Sequence, residues 1–186
     1  MPRLALPDPP LREDDVLLRP WSLADVPAVT AACQDPEIPR WTVVSHRYTE
    51  EDAREFIGGL DDDLAAGRQL ALAAVDPGGR LLGAVGISSF VWPDLTCEIG
   101  YWTVREARGR GVASAGLRLL SRWALTELGL ERVELFANPE NAASQRVAER
   151  AGFTREGLLR RYRYRHGVRE DLVIFSLLRE DLGPAG

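Results

Sequence analysis

The chain has 186 residues, 45% hydrophobic and 27% charged, and its 23 Lys-plus-Arg positions are all arginine. That length suits one domain with a complete core, and the composition is that of an ordinary soluble globular protein, which excludes a disordered chain. The longest purely aliphatic run, Leu70 to Val75, is far shorter than the ~20 residues of a membrane helix and falls below the ~7 of a signal segment, so neither export nor anchoring is expected and a cytoplasmic protein is.

Cys33 and Cys97 stand in no metal-ligand spacing, so a disulfide scaffold or a zinc site has no support and a reducing compartment fits. Without lysine there is no Schiff base and no P-loop lysine. Any phosphate must be held by arginine or by backbone N–H groups. The net charge of -5 is uneven: residues 1–93 carry 8 Arg against 15 acids, whereas residues 94–186 carry 15 Arg against 13 acids. An acidic chain is a poor dedicated nucleic-acid binder, so neither nucleic acid nor membrane is an expected partner.

Residues 1–12 hold four of the twelve prolines and read as a flexible arm, with residues 13–186 forming a single domain. Val16 to Arg19 reads as a first strand, and Ser22 to Asp25 as the capped start of a helix running toward Cys33. A loop rich in Pro and aromatic residues spans Asp35 to Tyr48. Thr49 then caps a helix that continues to about Ala66. Gln69 to Val75 and Leu81 to Phe90 flank the turn Asp76-Pro77-Gly78-Gly79 and predict a hairpin, with Thr96 to Val104 as the next strand.

Val112 to Leu128 has helical spacing, with Leu119, Leu120, Trp123 and Leu128 available to an apolar face, and Gly129 stops it. Arg132 to Ala137 is a strand, Ala142 to Arg150 a short helix, Phe153 to Arg163 a strand, and His166-Gly167 turns into a last strand, Val168 to Leu178. This order predicts an α+β (mixed α/β) single domain.

The segment Arg108-Gly109-Arg110-Gly111-Val112-Ala113-Ser114 follows a strand and opens a helix. First-turn N–H groups have no intrahelical partners and the helix dipole is positive there, so this is an anion site that needs no lysine. As G-x-G-x-x-G it is broken, and the Gly-Lys-Ser/Thr of a Walker loop is absent.

Arg108-x-x-Gly111-x-Ala113 does fit the acyl-CoA loop pattern Gln/Arg-x-x-Gly-x-Gly/Ala. Together with Glu98 to Trp102, Asn138 to Ser144, Ala151 to Gly157 and the strand from Asp171 to Leu178, the chain resembles the GNAT N-acetyltransferases of the RimJ/RimL-like branch over roughly residues 13–181. That resemblance implies a central, mostly antiparallel sheet flanked by helices and splayed between strands 96–104 and 132–137. Acetyl-CoA would lie in the splay as acyl donor with no metal, its pantetheine against Trp102, Thr103 and Val104. Arg108, Gly109, Arg110, Gly111, Val112, Ala113, Ser114, Asn141, Ser144 and Arg146 would complete the cofactor-binding set. The acceptor would be an amine, a protein N-terminus or a small molecule, and a homodimer is an open option.

Acyl transfer to an amine needs a base, an oxyanion site and help for the departing thiolate. The resemblance gives Glu98 the role of base, often acting through water, and Ser144 that of donor to sulfur. It gives the thioester oxygen to the N–H of Val104 or a neighbour. Each residue also has a plainer reading: Glu98 as a strand glutamate paired with an arginine, and Asn141 as a helix N-cap. A thiol pKa near ~8.5 makes CoA a tolerable leaving group, so Ser144 is either acid or only a CoA contact.

Cys33 and Cys97 read as buried small hydrophobes. His46 would overhang the acceptor side, as would the acidic helices 22–33 and 50–66, which suggests a cationic acceptor. In Arg160 to Arg165, alternation would put Arg161, Arg163 and Arg165 on one face and Tyr162 and Tyr164 on the other, toward the core or the acceptor cleft. A stacking surface for RNA is the rival reading.

Overall fold

The computed structural model describes residues 4–183. Eight strands form one sheet: β1 (Leu11–Glu13), β2 (Val16–Pro20), β3 (Gln69–Val75), β4 (Leu81–Val91), β5 (Thr96–Thr103), β6 (Arg132–Ala137), β7 (Thr154–Arg165) and β8 (Val168–Leu178). Their spatial order is β1-β2-β3-β4-β5-β6-β8-β7. Five α-helices accompany them: α1 (Val26–Ala32), α2 (Glu37–Trp41), α3 (Glu50–Ala65), α4 (Val112–Thr126) and α5 (Ala142–Arg150). Every strand pair is antiparallel except β5 with β6, which is parallel and registers only Thr96 with Arg132, Cys97 with Val133 and Glu98 with Glu134. Beyond Glu98 the two strands separate, which is the expected splay.

The sheet has two covered faces. α4 lies on one, where Leu117, Leu120, Ala124 and Leu125 are fully buried. Leu119 and Trp123 are only half-buried, so the apolar stripe is centred one position away from where those two residues would set it. Close approach is possible because Gly116 sits over Val85 of β4. Gly129, in the left-handed region at φ 76°, ends the helix segment as expected. On the other face, α1 and α3 pack together, and Trp21 bridges Phe56 of α3 and Trp102 of β5 at ring distances of 5.9 and 6.4 Å.

Two expectations need correction. From residue 4 onward the amino-terminal segment is not an unattached arm. Leu4 is buried, Leu11–Glu13 pairs with β2, and the Glu13 carboxylate accepts from Arg118 of α4. An edge strand tolerates nearby prolines because only one of its sides needs backbone partners. Met1–Arg3 lie outside the described residues. The loop Asp35 to Tyr48 contains the short helix α2, whose first turn is braced by the Asp35 side chain accepting the Glu37 N–H at 3.1 Å.

Where β4 meets β5, Gly83 faces Thr103, and a Cβ there would strike the carbonyl oxygen of Trp102. Gly83→Ala therefore overpacks backbone against backbone. Chemical denaturation should show a loss of about 1–3 kcal/mol, the usual range for forced overpacking.

Candidate active site

Strand alternation divides β5 into two functional faces. Cys97, Ile99 and Tyr101 point to the α4 side, as shown by Tyr101 pairing across from Val85 and by the burial of Cys97 and Ile99. Glu98, Gly100 and Trp102 point to the α3 side, where Trp102 meets Trp21. A cleft of about 1060 Å³ runs through the gap between β5 and β6 and is lined from both sides.

On the α3 side, Glu98 is gripped by Arg163, whose Nη1 and Nη2 donate to the two carboxylate oxygens at 2.8 and 2.7 Å. The Arg163 guanidinium also lies 5.1 Å from the centre of the Phe136 ring, and its hydrogen bonds to Glu98 raise its own pKa further. The plainer reading of Glu98 as an arginine partner is thus realised. An ionised carboxylate has about four lone-pair sites, so the pair still leaves room to accept from a water. Beside it Gly100 faces open space, since a Cβ would meet nothing within 4 Å. Glu170 is held the same way by Arg165, at 2.8 Å to each oxygen.

These contacts overturn one further expectation. Arg163 and Arg165 turn into the cleft while Tyr162 and Tyr164 are 49% and 65% exposed, the reverse of tyrosines facing inward. The cause is a pair of buried-side glutamates that recruit the arginines, combined with a register shift between Leu159 and Arg163 and a left-handed Arg161 at φ 51°. Strict alternation fails there: Tyr162 stacks on Phe136 at 5.3 Å while Arg163 covers the same ring. Of the cleft acids, Glu37, Glu98 and Glu170 are each paired with an arginine, whereas Asp52 of α3 is held by Thr49 and faces the cleft without one among the described residues.

On the α4 side, the Tyr101 hydroxyl donates to Ser144 Oγ at 3.1 Å, and burial raises the Tyr101 pKa. Asn141 is the N-cap of α5: its Oδ1 accepts the Ser144 N–H at 3.0 Å, and its amide donors stay available to a ligand. Ser114 is buried and turns its hydroxyl toward Val147 O, so only its backbone belongs to the loop. Gly109 and Gly111 take left-handed φ values of 76° and 83°, and Gly111 aims the free first-turn N–H groups of α4 at the end of the cleft. Arg108, Gly109, Gly111, Val112, Ala113, Asn141 and Ser144 all line the cleft with Trp102 and Thr103.

Three expected positions do not line it. Arg146 is exposed on the outer side of α5, where Arg150 lines the cleft instead, and Arg110 lies on the outside of the loop. Val104 is buried and its N–H donates to Leu82 O at 2.9 Å, so it is not free for a thioester oxygen. By the period of two in an antiparallel ladder, the backbone groups of Tyr101 and Thr103 then face the gap, where Thr103 O already accepts from Arg108 Nε at 3.3 Å and keeps a second lone pair, and they form an edge against which an amide-bearing arm can pair.

Arg108 forms an ion pair with Asp35, its Nη2 2.7 Å from Oδ2, while Asp35 Oδ1 accepts from Arg105 Nη2 at 3.2 Å. Burial pushes the Asp35 carboxyl up, but the Arg105 hydrogen bond, the Glu37 N–H and the Arg108 charge outweigh it, and the net pKa is lowered. The cysteines carry no such activation: burial pushes both thiols up to about 12. His46 does meet another ring, that of His166, at 4.7 Å. Sequence reasoning missed Gly100, Tyr101, Asp35 and Arg163. Alternation along β5 was signal enough for the first two, whereas Asp35 and Arg163 act through contacts distant in sequence.

Because the folded Asp35 pKa lies below its ordinary value, the stability it contributes is present above the usual carboxylate range near ~4 and is lost as pH falls below it. Thermal melts of wild type and Asp35→Asn should therefore differ at neutral pH and converge as the pH drops below about 4.

The geometry agrees with comparisons to known proteins. The family described as acetyltransferase (GNAT) domain matches residues 15–154. The Bacillus licheniformis protein named uncharacterized N-acetyltransferase p20 is 29% identical over 180 residues, 96% of this chain and 94% of that one. YdaF of Bacillus subtilis is 38% identical over 103 residues, 55% of this chain and 56% of that protein, so that match spans about half of each. The structure of Mycobacterium smegmatis RimJ in complex with CoA-disulfide superposes with a TM-score of 0.83 at 26% identity, covering 91% of this chain and 85% of that one. Sequence, fold and the cleft at the splay all say that this chain belongs to the GNAT acetyltransferases, the family of acetyl-CoA-dependent N-acetyltransferases, on its RimJ/RimL-like branch.

Proposed function

We propose that the chain transfers acetyl from acetyl-CoA to a protein N-terminal α-amine by direct attack in a ternary complex. One observation carries this reading. Glu98 and the Tyr101–Ser144 pair sit on opposite faces of one strand, at the point where β5 leaves β6. A nucleophile entering from the α3 side meets the carboxylate, and a thioester reaching in along α4 and α5 meets the hydroxyls. The reacting carbon lies between them.

The residues present fit acetyl-CoA. The N-terminus of α4 and Arg108 receive the pyrophosphate, Tyr101 and Thr103 offer backbone groups to the pantetheine amides, and Asn141 offers its amide. Glu98 takes one proton from the acceptor ammonium through a water. The neutral nitrogen attacks, the new N–C bond forms, and the oxyanion meets a backbone N–H on the free edge of β5. The C–S bond then breaks with its electron pair on sulfur, and the second nitrogen proton ends on the thiolate.

The choice of a protein N-terminus rests on room and on kinship. The cleft volume reaches the upper end of small-ligand pockets, enough for a pantetheine arm and the first residues of a peptide. A relative 27% identical over 97 residues, 52% of this chain and 54% of that protein, is the ribosomal-protein-serine acetyltransferase of Escherichia coli. Among the described residues no helix is long and apolar enough to cross a membrane.

The test is thiol release from acetyl-CoA and succinyl-CoA against a panel of peptides with free N-termini, amino acids, polyamines and antibiotic amines. Release with acetyl-CoA and peptides is expected. Release with small amines alone overturns the acceptor assignment, and tight CoA binding without release for any amine leaves a non-catalytic acyl-CoA binder. Within the active panel member, Glu98→Gln should lower kcat by about 10² or more and Ser144→Ala by roughly tenfold at most, the scale of general-base loss and of one hydrogen bond. Near-normal turnover of Glu98→Gln removes it as base. Gly100→Leu fills the open floor between Glu98 and Trp102, so the acceptor KM should rise while CoA affinity measured by calorimetry stays within about twofold.

A further inference from the structure

We propose that Tyr101 is a positioning residue for Ser144, fixing the serine hydroxyl so that its proton points at the sulfur of CoA. The proposal rests on the reading above in which Ser144 faces that sulfur. Its warrant is a hydroxyl pair joining residues 43 positions apart, on a strand and on a helix that approach each other only at the cleft.

A serine hydroxyl has one proton and two lone pairs. Inside a helix its usual donation is back to a carbonyl of the preceding turn, which hides the proton from a ligand. Ser121 of α4 shows that default, donating to Leu117 O at 2.6 Å. Ser144 does not. Its oxygen accepts from Tyr101, its backbone N–H is taken by Asn141, and among the described residues its hydroxyl donates to no protein acceptor. The proton is left for the cleft that Ser144 lines.

The direction of the Tyr101–Ser144 bond follows from chemistry. A phenol, with an ordinary pKa near ~10, is a better donor than an alkanol, and the serine oxygen is the better acceptor. Burial disfavours a tyrosinate, so Tyr101 keeps its proton throughout the pH range of the reaction. Accepting that bond polarises the serine O–H, a chain effect of roughly 10–30% per bond. Neither residue changes protonation state. Ser144 donates a hydrogen bond to the sulfur as the C–S electron pair moves onto it, and Tyr101 acts only through Ser144. This gives a poor acid a useful role, since a thiolate with a pKa near ~8.5 needs stabilisation more than it needs a proton.

The test needs no acceptor. CoA is bound to wild type, Tyr101→Phe, Ser144→Ala and the double variant, with calorimetry confirming that each binds. The ionisation of the bound thiol is then titrated by thiolate ultraviolet absorbance. Each single change should raise the bound thiol pKa by about half a unit to one unit, the scale of one hydrogen bond, and the double variant should show no more than Ser144→Ala alone. No shift on Ser144→Ala overturns the placement of Ser144 at the sulfur and the role of Tyr101 with it. A shift on Ser144→Ala without one on Tyr101→Phe overturns the role of Tyr101 and leaves Ser144 in place. A Tyr101→Phe shift that persists in the Ser144→Ala background shows Tyr101 acting on its own and also overturns the proposal. Should Tyr101→Phe fail to bind CoA, a fluorinated tyrosine installed at position 101 is a stronger donor and must move the thiol pKa downward.

Discussion

Everything in the site depends on one parallel junction. Among the described residues seven strand pairs hold the sheet, and six of them are antiparallel. Only β5 and β6 run the same way, and they exchange partners for three residues before parting at Glu98. A parallel pair cannot be closed by a tight turn, so the chain between them must travel, and it does so through the glycine loop and α4. The crossover that the topology requires therefore also carries the uncapped N-terminus of α4, the proposed anion site. The helix returns over the α4 face with its N-terminus at the open end of the gap, so the separation of two strands and the placement of a dipole follow from the same connection.

Given that junction, β5 needs no further device to separate the Glu98 carboxylate from the Tyr101–Ser144 pair. A strand alternates, and Glu98 and Tyr101 are an odd number of residues apart, so they lie on opposite faces. Gly100 and Trp102 continue the Glu98 face, one leaving room and the other packing against Trp21. In the proposed reaction the groups act across the thickness of the sheet rather than along its surface, which requires the splay: without it the backbone of β6 would stand between the two halves.

The sheet and its helices were largely readable in the sequence because they rest on local signals. Thr49, Asn141, Gly111 and Gly129 mark helix ends by side-chain or backbone chemistry within a few residues, and each lies where expected. What was not readable depends on partners far apart in the chain. Arg163 belongs with Glu98 across 65 positions, and no pattern within Arg160 to Arg165 reports a glutamate on another strand. Alternation in that stretch was read correctly as a rule and wrongly as an outcome, because a left-handed Arg161 shifts the register before Arg163. Leu4 and Leu11 were lost among prolines for a similar reason: the proline count describes the local chain, while burial is decided by the strand and helix it lies against. Val104 illustrates the same limit at one atom, since its N–H is spent on Leu82 of a neighbouring strand.

The absence of lysine takes on a structural meaning at the same place. A lysine ammonium presents a compact charge at the end of a flexible stem, whereas a guanidinium carries five donors in a planar fork. Arg165 makes four such bonds: it chelates both oxygens of Glu170 and donates through Nη1 to the carbonyls of Arg40 and Thr42 at 2.7 and 3.1 Å. His166 adds its Nε2 to Pro39 O and Thr42 O, so the β7–β8 turn holds the end of α2 against the cleft. Arg163 likewise combines a two-point grip on Glu98 with an aromatic face, which an ammonium of the same length could not do in one conformation. The arginine-only composition therefore matters less for total charge than for shape: rigid forks let β7 and β8 brace both Glu98 on β5 and the end of α2.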